Sequence, residues 1–296
     1  MTNLGEPSDG KKAMEINLET IYNLMEKILP FSWMDYNFMK NALLAILIIT
    51  PLFGILGTMI VNNRMAFFSD ALGHSALTGI AIGTLFGLGN TNIAMVVFAI
   101  IFALLLNMIN RKNTVSTDTV ISVFSSLSMS IGLVILSRGG NFSKYSGLLV
   151  GDILSITVNE IGYLVIIFAG TMVFWLFGFN KLLGAGVNTT LARSKRINTN
   201  LMEDIFSILI AVIVMSSIKW VGILIINALL ILPAAASRNI SSNMREYHLF
   251  SVLIALFSGI TGLIASYYLE TATGPTIVII ASIIFFVTFF LRTGKK

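Results

Sequence analysis

The chain has 296 residues, of which 56% are hydrophobic and only 11% are charged, and its mean hydropathy is +0.88. A soluble domain carries about a quarter charged residues, so this composition excludes most soluble-enzyme classes. It predicts an all-α, polytopic transmembrane helical bundle surrounded by membrane lipid. The net charge of +5 forms no basic patch typical of nucleic-acid binding, and the absence of cysteine excludes disulfides and thiolate metal sites.

Residues 1–37 form the polar start of the chain. Apolar residues recur at near-helical spacing from Ile16 to Leu29, with glutamates between them. This pattern predicts a short amphipathic helix on the membrane surface, ended by Pro30. The first 30 residues lack the charged and apolar regions of a cleaved signal peptide, so we expect none.

Nine apolar stretches follow, most of them near the length that a membrane-crossing helix needs. They run at about 38–61, 66–86, 92–109, 119–136, 161–179, 202–218, 221–236, 249–268 and 276–291. Only Lys219 and Trp220 separate the short sixth and seventh stretches, which form either a tight helical hairpin or a full and a half span. We therefore predict eight or nine spans within 38–292, followed by a short tail, 293–296.

The positions of lysine and arginine test this topology independently of hydropathy. If the N-terminal segment lies outside, the inside loops and the tail hold twelve of these 19 residues. The outside loops after the first span hold only Arg138, Lys144 and Lys219, and the other four precede or begin that span. This bias follows the positive-inside rule and predicts a plasma-membrane protein with a cytoplasmic C-terminus.

Asp70 and His74 are the two ionisable residues that stand out within one span, the second, where such groups are costly and indicate function. Their i, i+4 spacing places them one turn apart on one helix face. A carboxylate and a neutral imidazole arranged in this way can ligate one divalent transition metal. The structural alternative is that Asp70 is an N-cap or early-turn acid that His74 merely hydrogen-bonds.

Small residues recur at every fourth position beside this pair. They are Ala71, Ser75, Gly79, Gly83 and Gly87. Such a stripe lets another helix approach closely, so we expect the second span to be buried against protein. We expect Asp70, His74 and Thr78 to follow the buried seam, where a translocation pathway would lie.

Other polar or kinking residues near the spans have more ordinary interpretations. His248 follows Arg245 and Glu246 at the start of the eighth span, and we expect it to be solvated at the interface. Asn227, Pro51 and Pro233 lie within spans and are expected to be architectural.

No source of energy for transport is evident in the chain itself. The sequence has no G-x-x-x-x-G-K-[ST] loop for ATP and no series of intramembrane acids that would indicate a proton relay. Active transport would therefore depend on another subunit. The basic inside loop at about 180–201 is the natural docking element.

Three segments resemble the permease family of zinc, manganese and iron ABC importers. They are RMAFFSDALGHSALTGIAIG from Arg64, LVGDILSI from Leu149 and WVGILIINALLILPAAASR from Trp220, and they occur in the family's order. The resemblance implies a type II ABC-importer-like permease that forms a homodimer. It also implies two cytoplasmic ABC ATPase subunits and an extracytoplasmic metal-binding protein as partners.

The resemblance also assigns roles to individual residues. The family's metal-pathway Asp and His fall on Asp70 and His74, and its ATPase-coupling helix falls on about 187–198. The coupling residues would be Asn188, Leu191, Ala192, Arg193, Lys195 and Arg196. Thr78 replaces a usual Pro, which leaves the helix straighter or adds a weak oxygen ligand. The coupling segment lacks the family's acids and following Gly, so its ATPase groove must accept a more basic helix.

We therefore expect the permease subunit of an ATP-driven importer of Mn²⁺, Zn²⁺ or Fe²⁺. The metal would be cargo rather than a cofactor, and a partner would hydrolyse ATP. Three alternatives are a permease for a siderophore or corrinoid chelate, a stand-alone ion-coupled carrier or channel, and an intramembrane metalloenzyme. The first needs a wide cavity, the second needs no ATPase, and the third lacks an H-E-x-x-H motif.

Overall fold

The computed structural model describes residues 20–27, 31–112, 116–138, 142–187 and 189–293, and within these ranges the regular secondary structure is entirely helical. Helix α1 comprises residues 20–27. The long helices are α2 (Asn37–Asn62), α3 (Ala66–Leu85), α4 (Thr91–Lys112), α5 (Thr117–Ser137), α8 (Val158–Val187), α10 (Thr199–Val221), α12 (Met244–Leu269) and α13 (Thr273–Thr293). Shorter elements are α6 (Phe142–Tyr145), α7 (Gly147–Val150), α9 (Thr189–Ser194), α11 (Ile226–Ile240) and the 3₁₀ turns Ser32–Asp35 and Ile153–Ser155.

Helix α1 lies within the predicted amphipathic segment and contacts the start of α2. The Lys40 ammonium pairs with the Glu26 carboxylate, and the Tyr22 hydroxyl donates to the Asn41 side chain. Residues 1–19, residues 28–30 with the predicted helix end at Pro30, and the tail beyond 293 lie outside the described residues.

Seven of the described helices are long and apolar enough to cross a membrane, namely α2, α4, α5, α8, α10, α12 and α13. Helix α3 has 20 residues, enough for about 30 Å, but its Asp, His, Ser and Thr residues make it less apolar. Helix α11 has only 15 residues. The prediction of an all-helical membrane bundle is therefore confirmed, whereas the count of eight or nine spans stays a prediction.

The boundary between the sixth and seventh apolar stretches lies at Gly222. Helix α10 continues through Lys219 and Trp220 and ends at Val221, so neither of these residues separates two helices. Gly222 then adopts φ +95°, which favours glycine, and α11 begins at Ile226. Residues 222–225 thus form a break between the long α10 and the short α11.

The break is fixed by backbone contact with α7 and the residues after it. Three hydrogen bonds join the segments: Ile223 N donates to Leu148 O (2.9 Å), Leu224 N to Leu149 O (3.1 Å) and Asp152 N to Lys219 O (3.2 Å). Gly151 and Gly222 meet there; a Cβ on Gly151 would lie 2.4 Å from Gly222 N. Two of the three sequence motifs therefore pack directly against each other.

The ends of the long helices meet at two ends of the bundle. At one end Arg111 of α4 pairs with Asp204 of α10 at 2.8 Å, and at the other Lys219 of α10 pairs with Glu160 of α8. The first end is here called the basic end because it carries Arg64, Arg111, Lys112, Arg238, Arg245 and Arg292. It is the end that the charge bias predicts to be cytoplasmic.

Helix α3 packs closely between α4 and α5 through its small residues, as the stripe predicts. An added Cβ on Gly79 would lie 2.7 Å from Met95 Cα, and one on Gly83 would lie 2.8 Å from Ala94 Cβ. On the α5 side, a Cβ on Gly132 would lie 2.6 Å from Thr78 N. Neighbouring backbones thus approach α3 more closely than any side chain at these positions would allow.

We predict that Gly132→Ala lowers the thermal midpoint of the solubilised protein. The new methyl group would overlap the α3 backbone and push α5 away, and overpacking of this kind costs about 1–3 kcal/mol. Thermal unfolding in detergent measures the effect. Gly170→Ala in α8 is the matched control, because a Cβ there meets nothing within 4 Å and alanine favours helix. Equal midpoints for both variants would contradict the close contact.

Candidate metal site

Asp70 and His74 occupy the one open strip on the middle of α3. Every other residue from Phe68 to Ala81 is buried, whereas the side chains of Asp70 and His74 are 46% and 27% exposed. Within the single chain the pair is only partly covered, so its placement on a seam buried against protein stays a prediction. The small residues admit α4 and α5 on the flanks of the helix, and the polar pair faces away from them.

The pair has a geometry that suits one metal ion. The Oδ2 atom of Asp70 lies 3.5 Å from Nε2 of His74. Two ligand atoms bound to one tetrahedral metal at about 2.1 Å lie roughly 3.4 Å apart, so little adjustment is needed. The Nδ1 atom of His74 is buried without a hydrogen-bond partner among the described residues.

The local helix geometry argues against a capping role for Asp70. Helix α3 begins at Ala66, its N-cap residue is Met65, and its first turn contains no acid. Asp70 is therefore neither the cap nor a first-turn acid, and the helix terminus does not account for its presence.

Asn227 joins the pair from α11 and was missed as a site residue by the sequence analysis. Its Nδ2 donates to Asp70 Oδ1 at 3.3 Å, and its Oδ1 accepts from Ser69 Oγ at 2.5 Å. The sequence feature that could have identified Asn227 is its position as a polar amide within the apolar run of the third motif. In the described ranges, no group of three or more His, Asp or Glu side chains is arranged to hold a metal.

Thr78 faces α5 rather than the strip that carries Asp70 and His74. It is 3% exposed; its hydroxyl donates to Ser128 O and accepts from Ser128 Oγ at 3.1 Å. Ligation by Thr78 would require these interhelical hydrogen bonds to break, so the geometry favours a packing role.

The predicted coupling segment contains the short helix α9 between the long helices α8 and α10. Arg196 adopts φ +58° and Ile197 N donates to Ala192 O at 3.1 Å, which closes α9 with a Schellman motif. Ala192 is buried, whereas Lys195 and Arg196 are exposed. Leu191 and Arg193 lie within α9, and Asn188 lies outside the described residues.

His248 packs between helices, so the expectation of a solvated histidine is wrong. Its ring centroid lies 5.6 Å from that of Trp175 and 5.1 Å from that of Phe179, both in α8. Its Nε2 lies 3.4 Å from Thr58 Oγ1 of α2. The N-cap residue of α12 is Asn243, and the neighbouring Glu246 supports this helix start by accepting from Ser242 N.

A cavity of about 540 Å³ opens at the basic end. Its polar lining includes Asn62, Arg64, Glu203 and Arg238, and neither Asp70 nor His74 contributes to it. The candidate metal ligands therefore lie on an open strip and not in this chamber.

Comparisons with known proteins agree on one family. The ABC 3 transport family matches residues 35–292. The chain is 33% identical over 255 residues to the high-affinity zinc uptake system membrane protein ZnuB of Haemophilus influenzae, covering 85% of this chain and 96% of that protein. It is 25% identical over 256 residues to the manganese transport system membrane protein MntC of Listeria monocytogenes, covering 86% and 91%.

A solved structure supports the fold. PsaBC from Streptococcus pneumoniae, determined in complex with Fab, superposes with a TM-score of 0.77 at 22% identity. The match covers 91% of this chain and 95% of that chain. The helical arrangement is therefore shared across nearly the full length.

We predict that Thr78→Val lowers stability while leaving metal uptake per folded protein unchanged. Valine keeps the shape but leaves the buried Ser128 groups without their partner, which costs about 1–3 kcal/mol. Thermal unfolding and uptake, normalised to abundance, measure the two effects. Thr78→Ser keeps the hydroxyl and is the control. A loss of metal affinity without a loss of stability would instead make Thr78 a ligand.

Proposed function

The chain belongs to the ABC 3 transport family, and we propose that it is the transmembrane permease subunit of an ATP-driven importer of divalent transition metal. The transported ion would be Mn²⁺, Zn²⁺ or Fe²⁺, in line with the zinc and manganese systems for which its relatives are named. The observation that carries the proposal is the Asp70–His74 pair, which forms the partly exposed strip of α3 where every other residue from Phe68 to Ala81 is buried.

The pair would bind the metal transiently during transport and would not hold it permanently. A carboxylate and an imidazole suit all three ions and leave further coordination positions free. Metal received from an extracytoplasmic binding protein would exchange part of its hydration shell for these groups. Binding must stay weak, because a tightly held ion would not be released towards the cytoplasm.

We propose that two copies of the chain cover the open strip. A half-exposed carboxylate within a membrane helix does not face lipid, and it favours a protein interface or a water-filled path. Pairing two copies along this strip would enclose both Asp70–His74 pairs along one pathway. A homodimer is therefore the arrangement that best accounts for their exposure.

ATP hydrolysis is assigned to two cytoplasmic ATPase subunits, since the chain has no P-loop and is not itself an enzyme in this proposal. Helix α9 lies at the basic end and would dock in the ATPase. In this topology α3 and α11 complete nine crossings, α11 starting from the break, and the C-terminus is cytoplasmic.

We predict that Asp70→Asn and His74→Ala each abolish uptake while the complex still assembles and hydrolyses ATP. Each change removes one of two ligands, whereas the open strip tolerates both because it supports little internal packing. Uptake of radiolabelled Mn²⁺ and Zn²⁺ at matched protein abundance measures the effect. Asp118→Asn, at an exposed carboxylate at the start of α5, is the control and should transport normally. Near-normal uptake by both site variants would contradict the assignment.

We predict that reversing charge at Arg193 and Arg196 together weakens copurification of the ATPase or uncouples hydrolysis from uptake. The basic residues would pair with acids in the ATPase groove, so glutamates there would repel it. Metal binding at Asp70 and His74 should not change. Copurified ATPase and metal transported per ATP hydrolysed are the measurements.

Two controls separate the charge from other effects in this coupling test. Arg196→Gly removes one charge but suits the left-handed backbone, so it separates charge from turn geometry. Arg292→Glu reverses an exposed charge at the same end, outside α9. If the Arg193/Arg196 variant remains fully assembled and coupled, these charges serve membrane orientation alone.

A further inference from the structure

The amide of Asn227 is held in one orientation between two residues of α3. Ser69 is fully buried, and its hydroxyl lies 2.9 Å from Ala66 O of its own helix and 2.5 Å from Asn227 Oδ1. With its oxygen towards the Ser69 hydroxyl, the amide directs its NH₂ group to Asp70 Oδ1 at 3.3 Å. The opposite orientation would bring the amide oxygen against a carboxylate oxygen, which is repulsive.

Because of the contact with Asn227, the two oxygen atoms of Asp70 have different partners. Oδ1 is engaged by Asn227, whereas Oδ2 lies 3.5 Å from His74 Nε2. The carboxylate is therefore held with one oxygen beside the imidazole before any metal arrives. Partners of this kind orient a ligand and raise its affinity without touching the ion.

Asn227 also connects the pair to the break between α10 and α11. It is the second residue of α11, and the break before it is hydrogen-bonded to α7. Helix α3 lies directly against the same region, since a Cβ on Gly73 would lie 3.4 Å from Ile223 O. A shift of the break would therefore move the amide relative to Asp70.

We propose that Asn227 is a positioning residue for the transported metal: it orients the Asp70 carboxylate and makes metal affinity depend on the placement of the α10–α11 break. This inference rests on the proposed function. Asn227 acts through Asp70, while Asp70 and His74 remain the groups that touch the ion.

The test uses the permease reconstituted with its ATPase and binding protein, with Mn²⁺ and Zn²⁺ each as the probe. Asn227→Ala should raise the half-saturating metal concentration by about 10–100-fold, the usual effect of losing such a partner. Its maximal rate should stay near that of the parent, because saturating metal restores occupancy. Asn227→Asp adds a carboxylate beside Asp70, so it should lower the half-saturating concentration and also the maximal rate, because release slows.

Asn107→Ala is the matched control. Asn107 is buried and, like Asn227, donates across helices to an aspartate, Asp204 Oδ1 at 2.9 Å; it also donates to Ser207 Oγ at 2.9 Å. Its loss should lower stability comparably while leaving the half-saturating concentration unchanged.

The outcomes separate this inference from the proposed function. If Asp70→Asn and His74→Ala abolish uptake but Asn227→Ala changes only stability, as Asn107→Ala does, Asn227 is structural and the inference is overturned. If the Asp70 and His74 variants transport normally, both the metal site and the role of Asn227 are overturned. Opposite shifts for Asn227→Ala and Asn227→Asp support the positioning role.

Discussion

Close backbone contact around α3 is the constraint on which the candidate site depends. Apolar side chains gain little by leaving lipid for protein, so membrane helices associate through tight packing of small residues. Gly79 allows Met95 of α4 to approach, and Gly132 of α5 rests on the backbone of Thr78. These contacts occupy the flanks of α3, so its remaining open strip is narrow and its direction is fixed.

The same packing leaves a polar strip on α3, and lipid chains offer no hydrogen-bond partners to the side chains on it. A charged aspartate within a membrane helix is costly, by up to roughly 2.5–3.5 kcal/mol at the helix centre on insertion scales, and Asp70 lies in the second turn of α3. Asp70 recovers part of this through Asn227 and His74, at 3.3 Å and 3.5 Å, but almost half of its side chain stays exposed. A hydrated cation and a second copy of the chain would supply the interactions that are still missing. In the proposed function, packing and transport thus depend on the same helix.

Local patterns predicted most of the fold and two of the three residues that the candidate site brings together, Asp70 and His74 but not Asn227. Hydropathy located the helices, and the i, i+4 spacing located Asp70 and His74, because both signals lie within one segment. The break was placed wrongly because Lys219 reaches Glu160 of α8, which lets α10 continue past a charge and end at Gly222 instead. Asn227 was missed because its partner lies 157 residues away, and no local pattern reports such a contact.

At two helix ends, the preference for a positive charge competes with the conformational preference of the turn. Arg64 and Arg196 both adopt φ +58°, where Met65 N donates to Ile60 O and Ile197 N to Ala192 O. A left-handed conformation costs an L-residue about 1–2 kcal/mol, and glycine usually takes this place. At the opposite end Gly87 and Glu270 close α3 and α12 in the same conformation. Among the described residues, arginine fills this position only at the basic end, where its charge favours helix C-termini. At that end, a positive charge is kept in spite of the preference of the turn for glycine.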